Sequence, residues 1–470
     1  MKKFILVMGL VSFVCSCSTD NSCETGYAMY DGSCYPAAYS AIFTVTSKAD
    51  ILFVVDNSGS MVGEQVQLGY SFKAFATELE RFFGDQYHVA VVTTGMESPG
   101  CPNCDAVINQ SCMNETGENG RFQDRVCLNQ GDIDYPDYVC ETDPGCSKVV
   151  TADTKSCFFD EALSEGMALV GVNGCGYERG LASMRTALDT LAGSYNAGFL
   201  RKDATLVVVV ISDEDDCGEV GDATEGMAAI GGNACYYAAK GVDPEGNYND
   251  PEGKPYQLTP VEEYYDFLMG LKGNRQGMVK FAAVVGVKDI HDLSTTTIEY
   301  TFDSSSNHYR VDDACQTQGC TGSFCSAEPG TRYIRLAQMF GIGQHGFVDS
   351  ICQNDFSNAM NKLGIFSACS DEYFLKDKLL DIDQVRVMLN HSEIPRFTCA
   401  APGDLVECAG LEDSSCVQGS CVETWSYLAP SDPPDPAAPG GVISFADHCK
   451  PCQTINVGES FNLDIVEIAE

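Results

Sequence analysis

From about Phe43 onward, short unbroken apolar runs alternate with stretches in which apolar residues recur every three or four positions. Residues 51–55 form the first run, as expected of a central strand covered on both faces. Leu68, Phe72, Phe75, Leu79 and Phe82 then follow at alternating steps of four and three, which places one apolar stripe along a helix. Residues 88–92 read as the next strand. Helical spacing returns at Leu181, Met184, Leu188 and Leu191, and residues 206–211 form another fully apolar strand. Val261, Tyr264, Leu268 and Leu271 predict a further helix, and residues 281–287 a further strand. A helix near 332–340, a strand near 347–351 and a helix near 355–363 complete the series. Strands without polar alternation, separated by amphipathic helices, predict an α/β fold built on a doubly wound, mostly parallel sheet.

Three segments interrupt this rhythm: residues 97–157, 217–258 and 289–330. They lack helical or strand periodicity and carry many of the cysteines, so they read as insertions held by disulfides. The Asp- and Gly-rich stretch from Asp243 lacks the spacing of a calcium-binding EF-hand loop and reads as a solvated loop. Beyond about Cys369 the texture changes again. Residues 384–389, 425–428, 442–445 and 461–468 are β-like and separated by Pro- and Gly-rich turns, which predicts a small all-β domain over 370–470.

The N-terminus carries an address. Lys2 and Lys3 precede an apolar stretch over 4–14 that is too short to span a bilayer. The Val14-Cys15-Ser16-Cys17 segment resembles a bacterial lipobox, with Cys17 as the lipidated residue and 1–16 as the cleaved signal. That resemblance implies a triacylated, durable anchor. Ser18, rather than Asp, after the cysteine favours the outer membrane. An ordinary signal peptide with an incidental cysteine is the alternative. Residues 17–42 form a leader in which Cys23 and Cys34 are expected to close a small loop, and the α/β domain is expected to run from 43 to 369.

Charge and cysteine content narrow the partners. The chain has 67 acidic residues against 28 basic ones, a balance that repels nucleic acid and anionic lipid surfaces. Its 25 cysteines, in an exported chain, point to disulfides rather than metal thiolates. Setting aside Cys15 and Cys17 leaves an odd number, so at least one thiol is free or paired between chains. Cys101-Pro-Asn-Cys104 and Cys449-Lys-Pro-Cys452 have redox-like spacing, but they stand far apart and read as small structural loops. Neither His-Glu-x-x-His nor Gly-x-Ser-x-Gly occurs, there is no P-loop, and the six histidines are scattered. A binding role is therefore expected rather than an enzymatic one.

The candidate chemistry sits at Asp56-Asn57-Ser58-Gly59-Ser60, directly after the first apolar strand. In a doubly wound sheet, ligands bind beyond the carboxyl ends of the strands. One carboxylate and two hydroxyls on a tight turn suit a hard cation: Mg²⁺ first, with Ca²⁺ or Mn²⁺ as alternatives. Asp213 ends a later apolar strand and supplies a second carboxylate, followed by Glu214, Asp215 and Asp216. The strand, the Asp-x-Ser-x-Ser motif and the following amphipathic helix resemble the metal ion-dependent adhesion site of von Willebrand factor type A domains.

The resemblance covers roughly residues 43–366, excluding the insertions. It implies a cation with one open coordination position, filled by an Asp or Glu carboxylate of a protein partner. The family's threonine ligand is missing, because the matching position is Cys175. The resemblance implies that Glu178, or a water in its place, supplies the lost oxygen, and that Cys175 is bridged to Cys217, which would border the same site. Pairing of Cys217 with Cys235 is the alternative. A structural role in an envelope assembly, the metal merely stabilising the fold, stands beside the binding reading.

Overall fold

The computed structural model describes residues 48–96, 118–124, 147–157, 178–218, 234–250, 255–305, 307–318 and 326–368, with short strands and turns elsewhere. The fold is α/β. Five parallel strands form the central sheet: β1 (Ala49–Val55), β2 (Tyr87–Thr93), β3 (Thr205–Ser212), β4 (Val279–Val285) and β5 (Gly346–Ser350). Their spatial order is β2-β1-β3-β4-β5. The chain moves outward from β1 to β2, returns to the other side of β1 for β3, and continues outward. The switch point of this topology therefore lies between β1 and β3.

Alternation along each strand feeds two cores. Ile51, Phe53 and Val55 of β1 join one cluster with Leu68, Phe72, Phe75 and Leu79 of α1 (Val62–Phe83). Leu52 and Val54 join the other, with Leu181 and Met184 of α2 (Gly180–Leu188). After the short α3 (Ala234–Lys240), the helices α4 (Val261–Leu271) and α5 (Thr331–Met339) cover the same face as α2, and α6 (Ser357–Ala368) covers the face of α1. A strand residue that buries either face needs an apolar side chain at every position, which is why these strands read as unbroken runs. The predicted α1 stripe holds except at its end, where Phe83 is the fully buried ring. Phe82 is partly buried beneath the Arg81 guanidinium, 4.0 Å from its ring centre.

The base of the sheet buries an ionic cluster. Asp50 of β1 is fully buried and accepts from Arg201 through its backbone N (2.6 Å) and its Nε (2.7 Å). Lys272 Nζ lies 3.8 Å and His88 Nδ1 3.6 Å from the same carboxylate.

The three interrupting segments contain structure that periodicity did not predict. The second holds α3, and the Cys217–Cys235 disulfide staples α3 to the end of the β3 loop. The third contains two short antiparallel hairpins, Tyr300–Asp303 with His308–Val311 and Cys315–Gln316 with Ser326–Ala327. Its Cys315 bridges to Cys352, just beyond β5. The first lends Phe122 and Val150 to the two cores, and Val150 makes an antiparallel bridge to Val89 of β2.

The strands expected beyond residue 370 form antiparallel sheets together with two that were not expected, Glu372–Leu375 and Ser392–Ile394. Glu372–Leu375, Gly441–Phe445 and Trp425–Leu428 make one. Ser392–Ile394, Val385–Leu389 and Leu463–Glu467 make another, whose fourth strand is Tyr39–Thr44. The segment read as a leader thus ends in a strand paired with the far end of the chain. Cys17 and Cys23 lie outside the described residues. Cys34 lies in a strand, Ser33–Pro36, that pairs with Tyr27–Tyr30. No helix among the described residues is long and apolar enough to cross a membrane.

Candidate metal centre

The motif loop leaves β1 at the switch point. Val55 is in register with Ile211 of β3 and with Thr93 of β2, so Asp56, Ser212 and Thr94 emerge side by side at the carboxyl edge. Asp56 is fully buried. Its Oδ1 accepts from the Ser58 backbone N at 2.8 Å and its Oδ2 from Ser212 Oγ at 2.6 Å. The Ser58 and Ser60 hydroxyls lie 2.8 Å apart, and Ser60 Oγ donates to Asp213 Oδ1 at 3.2 Å. One polar chain therefore links Asp56, both serines and Asp213, which brings together the four motif oxygens expected from the sequence.

The loop's shape is held from behind. Gln65 of α1 donates to the Asp56 carbonyl (2.7 Å) and to the Gly171 carbonyl (2.6 Å). Asn57 Nδ2 donates to Glu118 Oε1 at 2.7 Å, and the Asn57 carbonyl accepts from Gly174 N at 2.6 Å. A Cβ on Gly174 would meet Asn57 Oδ1 at 2.2 Å, and one on Gly95 would meet Glu118 Oε2 at 1.7 Å. A side chain at either position would have to displace these two side-chain ends, and with them the Asn57–Glu118 bond.

Glu178 comes to the site, but not by the expected route. Cys217 pairs with Cys235, with Cα atoms 4.9 Å apart, so the expected Cys175–Cys217 bridge is not formed. Cys175 itself lies outside the described residues. The two loops are instead joined by backbone: Cys217 N donates to the Glu178 carbonyl at 2.5 Å, and Arg179 N to the Thr94 carbonyl at 3.0 Å. The Thr94 hydroxyl donates to Glu178 Oε2, and after burial the charge of Asp56 raises the Glu178 carboxyl. A disulfide was not needed because main-chain bonds already fix this separation, which frees Cys217 to tether α3.

The acidic run after β3 divides by role. Asp213 and Glu214 belong to the rim. Asp215 accepts from Arg332 N (2.9 Å) and from the Thr331 hydroxyl (2.5 Å) at the start of α5. Asp216 accepts from Leu181 N (3.0 Å) at the start of α2 and from Arg332 Nε (3.0 Å). These two are helix-terminus anchors, where a carboxylate meets unpaired N–H groups and the positive end of the helix dipole.

The rim carboxylates have different company. Burial raises Asp56, although bonds from Ser212 and Ser58 pull it back. Burial, then Asp56 and Glu214, holds Glu178 well above the usual range. Burial, then Asp56, Glu214 and Glu64, does the same to Asp213. Glu64, on the first turn of α1, is pushed up to about 7 by burial and Asp56. These groups destabilise one another's charged forms, which a proton or a cation relieves.

The donor set suits a hard cation. Glu178 Oε1, Glu64 Oε2, Gln65 Oε1 and Asn57 Oδ1 are buried polar atoms with no hydrogen bond among the described residues, and such atoms call for a partner. Among the described residues, no group of three or more His, Cys, Asp or Glu side chains forms a ready-made metal cage. The oxygens that the motif brings together here include two serine hydroxyls, which such a grouping does not contain. Thr94, Ser212, Gln65 and Glu118 were not singled out from the sequence. Ser212 and Thr94 were visible as hydroxyls at the ends of apolar strands, whereas nothing local marks Gln65 or Glu118.

No family profile matches the chain, and no curated protein matches it. Among solved structures, it aligns with the pilus adhesin SpaC from Lactobacillus rhamnosus GG, in its open conformation. The identity is 11% and the TM-score 0.32, over 96% of this chain and 45% of that one. The pilus adhesin RrgA from Streptococcus pneumoniae aligns at 8% identity and a TM-score of 0.28, over 94% and 57% of the two chains. Proximal thread matrix protein 1 of the mussel byssus gives 13% and 0.25, over 71% and 50%. This chain spans less than half the length of SpaC, and no shared overall fold follows from these values.

Proposed function

We propose that this is an exported, lipid-anchored protein of the bacterial cell envelope that binds a protein partner through a divalent cation. The cation is held between Asp56, Ser58, Ser60, Glu178 and Asp213, in a domain similar to von Willebrand factor type A domains. The observation that carries this reading is the convergence, at the β1/β3 switch point, of Asp56, two serine hydroxyls and Asp213 in one hydrogen-bonded chain. When bound, the cation would neutralise the buried carboxylates and offer an outward position to a partner's acidic side chain. Gly59 is exposed and Ser60 half-buried, and they mark the side from which a partner would approach. Binding rather than catalysis is the role proposed.

A specific observation supports a second reading, in which the cation only stabilises the fold. Asp56, Ser58, Glu178 and Asp213 are each no more than 3% exposed. Capture of envelope proteins from extracts, with and without EDTA, separates the two. Capture lost on chelation and restored by a divalent cation supports the first reading; capture indifferent to chelation overturns it. The anchor is tested separately: Cys17→Ala should abolish acyl labelling and release the protein from membranes.

A further inference from the structure

The hairpin of Tyr300–Asp303 with His308–Val311 buries one end of a face and leaves the other end in solvent. Tyr300 stands opposite Val311, and Phe302 opposite Tyr309, so both pairs share one face of the hairpin. The first pair is packed: Val311 joins Tyr236 and Ile298, and the Tyr300 ring meets that of Tyr237 of α3 at 5.4 Å. The second pair is left outside that cluster. Its rings meet edge to face at 5.2 Å, and Phe302 remains 50% exposed. An open cavity of about 450 Å³ lies beside it, with Phe302, Val311, Arg310, Asp303, Asp312 and Asp313 in its lining. Main-chain bonds tie this cavity to the rim of the sheet. Ala314 N donates to the Ala327 carbonyl at 2.8 Å, and the next residue, Glu328, donates its N–H to the Asp213 carbonyl at 2.8 Å.

We infer that this end of the hairpin docks a basic segment of a protein partner, with an apolar side chain seated on Phe302 and flanking Lys or Arg side chains facing Asp312 and Asp313. Three aspartates line the cavity against one arginine. Asp303 is engaged by the Ser305 N–H (2.8 Å) and hydroxyl (2.7 Å) of its own turn. Asp312 and Asp313 are exposed, and their carboxylates enter no ion pair or hydrogen bond among the described residues. Opposite charge across a contact steers the partner and fixes its register, and aromatic side chains are enriched among the anchors of interfaces. The same charge excludes other occupants. A second copy of this chain, with 67 acidic residues against 28 basic ones, would be repelled, as would nucleic acid or an anionic lipid surface. The contact requires no cation, so it stands or falls apart from the proposed metal centre.

The test is fluorescence anisotropy of the full chain, in EDTA, with three labelled peptides. The first is Gly-Lys-Lys-Leu-Phe-Lys-Lys-Gly; the second has glutamate for each lysine; the third keeps the lysines but has serine for Leu and Phe. The first should bind about tenfold more tightly than either of the others, and more weakly as salt rises. Phe302→Ala, and Asp312→Asn combined with Asp313→Asn, should each weaken it about tenfold. Both variants should melt as wild type does, because the side chains they change are exposed. Asp85→Asn combined with Asp189→Asn removes the same charge from exposed positions just beyond α1 and α2, and should leave binding unchanged. Equal binding of the three peptides overturns the inference, as does a loss in the Asp85 and Asp189 variant as large as in the Asp312 and Asp313 variant. A chain that sediments as a dimer without peptide, and as a monomer after Phe302→Ala, would overturn it too, by giving the hairpin a second copy as its partner.

Discussion

One strand, β1, buries an aspartate near each end, and the two meet opposite company. Asp50 at the base is embraced by Arg201, with Lys272 and His88 close by. Burial still raises its carboxyl, but Arg201 and Lys272 pull it back, while burial pushes Lys272 down to about 8. Asp56 at the rim is bonded to serines, and after burial its charge is the largest cause that raises the Glu178 and Asp213 carboxyls. The base is a cluster the protein completes with its own cations. The rim has comparable burial, and among the described residues no ion pair completes it, which is why the proposed cation is assigned there. Perturbed carboxylates at a strand's carboxyl end, beside a topological switch point, mark the functional end of such a sheet.

The largest effect should come from breaking the base. Asp50→Ala leaves buried Lys272 and half-buried Arg201 without their partner and should cost about 3–5 kcal/mol. Urea unfolding should give the same loss with and without divalent cation. A loss that appears only when cation is present would erase the contrast between the two ends.

Next comes the covalent tether at the rim. Replacing Cys217 and Cys235 together by serine opens a bridge across 18 positions and should cost about 3 kcal/mol. Non-reducing peptide mapping should recover a Cys217–Cys235 peptide; a Cys175–Cys217 peptide would reverse the assignment.

Cation binding should be comparable in size but conditional. Saturation at about 100 times the dissociation constant adds about 2.7 kcal/mol to the stability of the native state. Asp56→Ala should abolish that gain. If the variant is stabilised by cation as fully as wild type, the rim is not the site.

The smallest effect is the pH dependence, and its sign follows from the direction of the shifts. Glu178 and Asp213 are raised when folded, so the native metal-free state holds more protons than the unfolded chain. Stability from these groups is full in acid, below the ordinary carboxylate range. It is lost as pH rises through the folded values, and Glu64 extends that window to about 7. The metal-free melting temperature should therefore fall from about pH 5 toward neutrality. With cation bound, the same interval should be flat or rising, because the charged carboxylates are then the ligand form. A metal-free protein whose stability rises over that interval would show that the rim carboxylates already have partners.

Much of the fold was legible because burial on both faces leaves a plain mark. β1 and β3 read as unbroken apolar runs, and α1 as a stripe. Some of the far strands were also clear, with Trp425–Leu428 at its observed bounds and Leu463–Glu467 within its predicted run, whereas Glu372–Leu375 and Ser392–Ile394 went unread. Tyr39–Thr44 was not recognised as a partner of Leu463–Glu467, because pairing between opposite ends of a chain leaves no local signal. α3 went unread because its seven residues give too few turns for a periodicity.

At the candidate site, Asp56, Ser58, Ser60 and Asp213 were legible in the sequence as oxygens placed where apolar strands end. Their hydrogen-bonded connection was not. Nor was the division of Asp213-Glu214-Asp215-Asp216 into rim and helix anchors, since four adjacent carboxylates look alike until the N-termini of α2 and α5 arrive beside two of them. Cys217 had two plausible partners along the chain. The packing of α3 against the β3 loop chose Cys235, and backbone bonds made the other bridge unnecessary. Chain order can specify which groups stand at the end of a strand. Which buried charge finds a partner depends on groups brought from more than a hundred residues away, as Arg201 is to Asp50 and Ser212 to Asp56, and that is a property of the folded sheet.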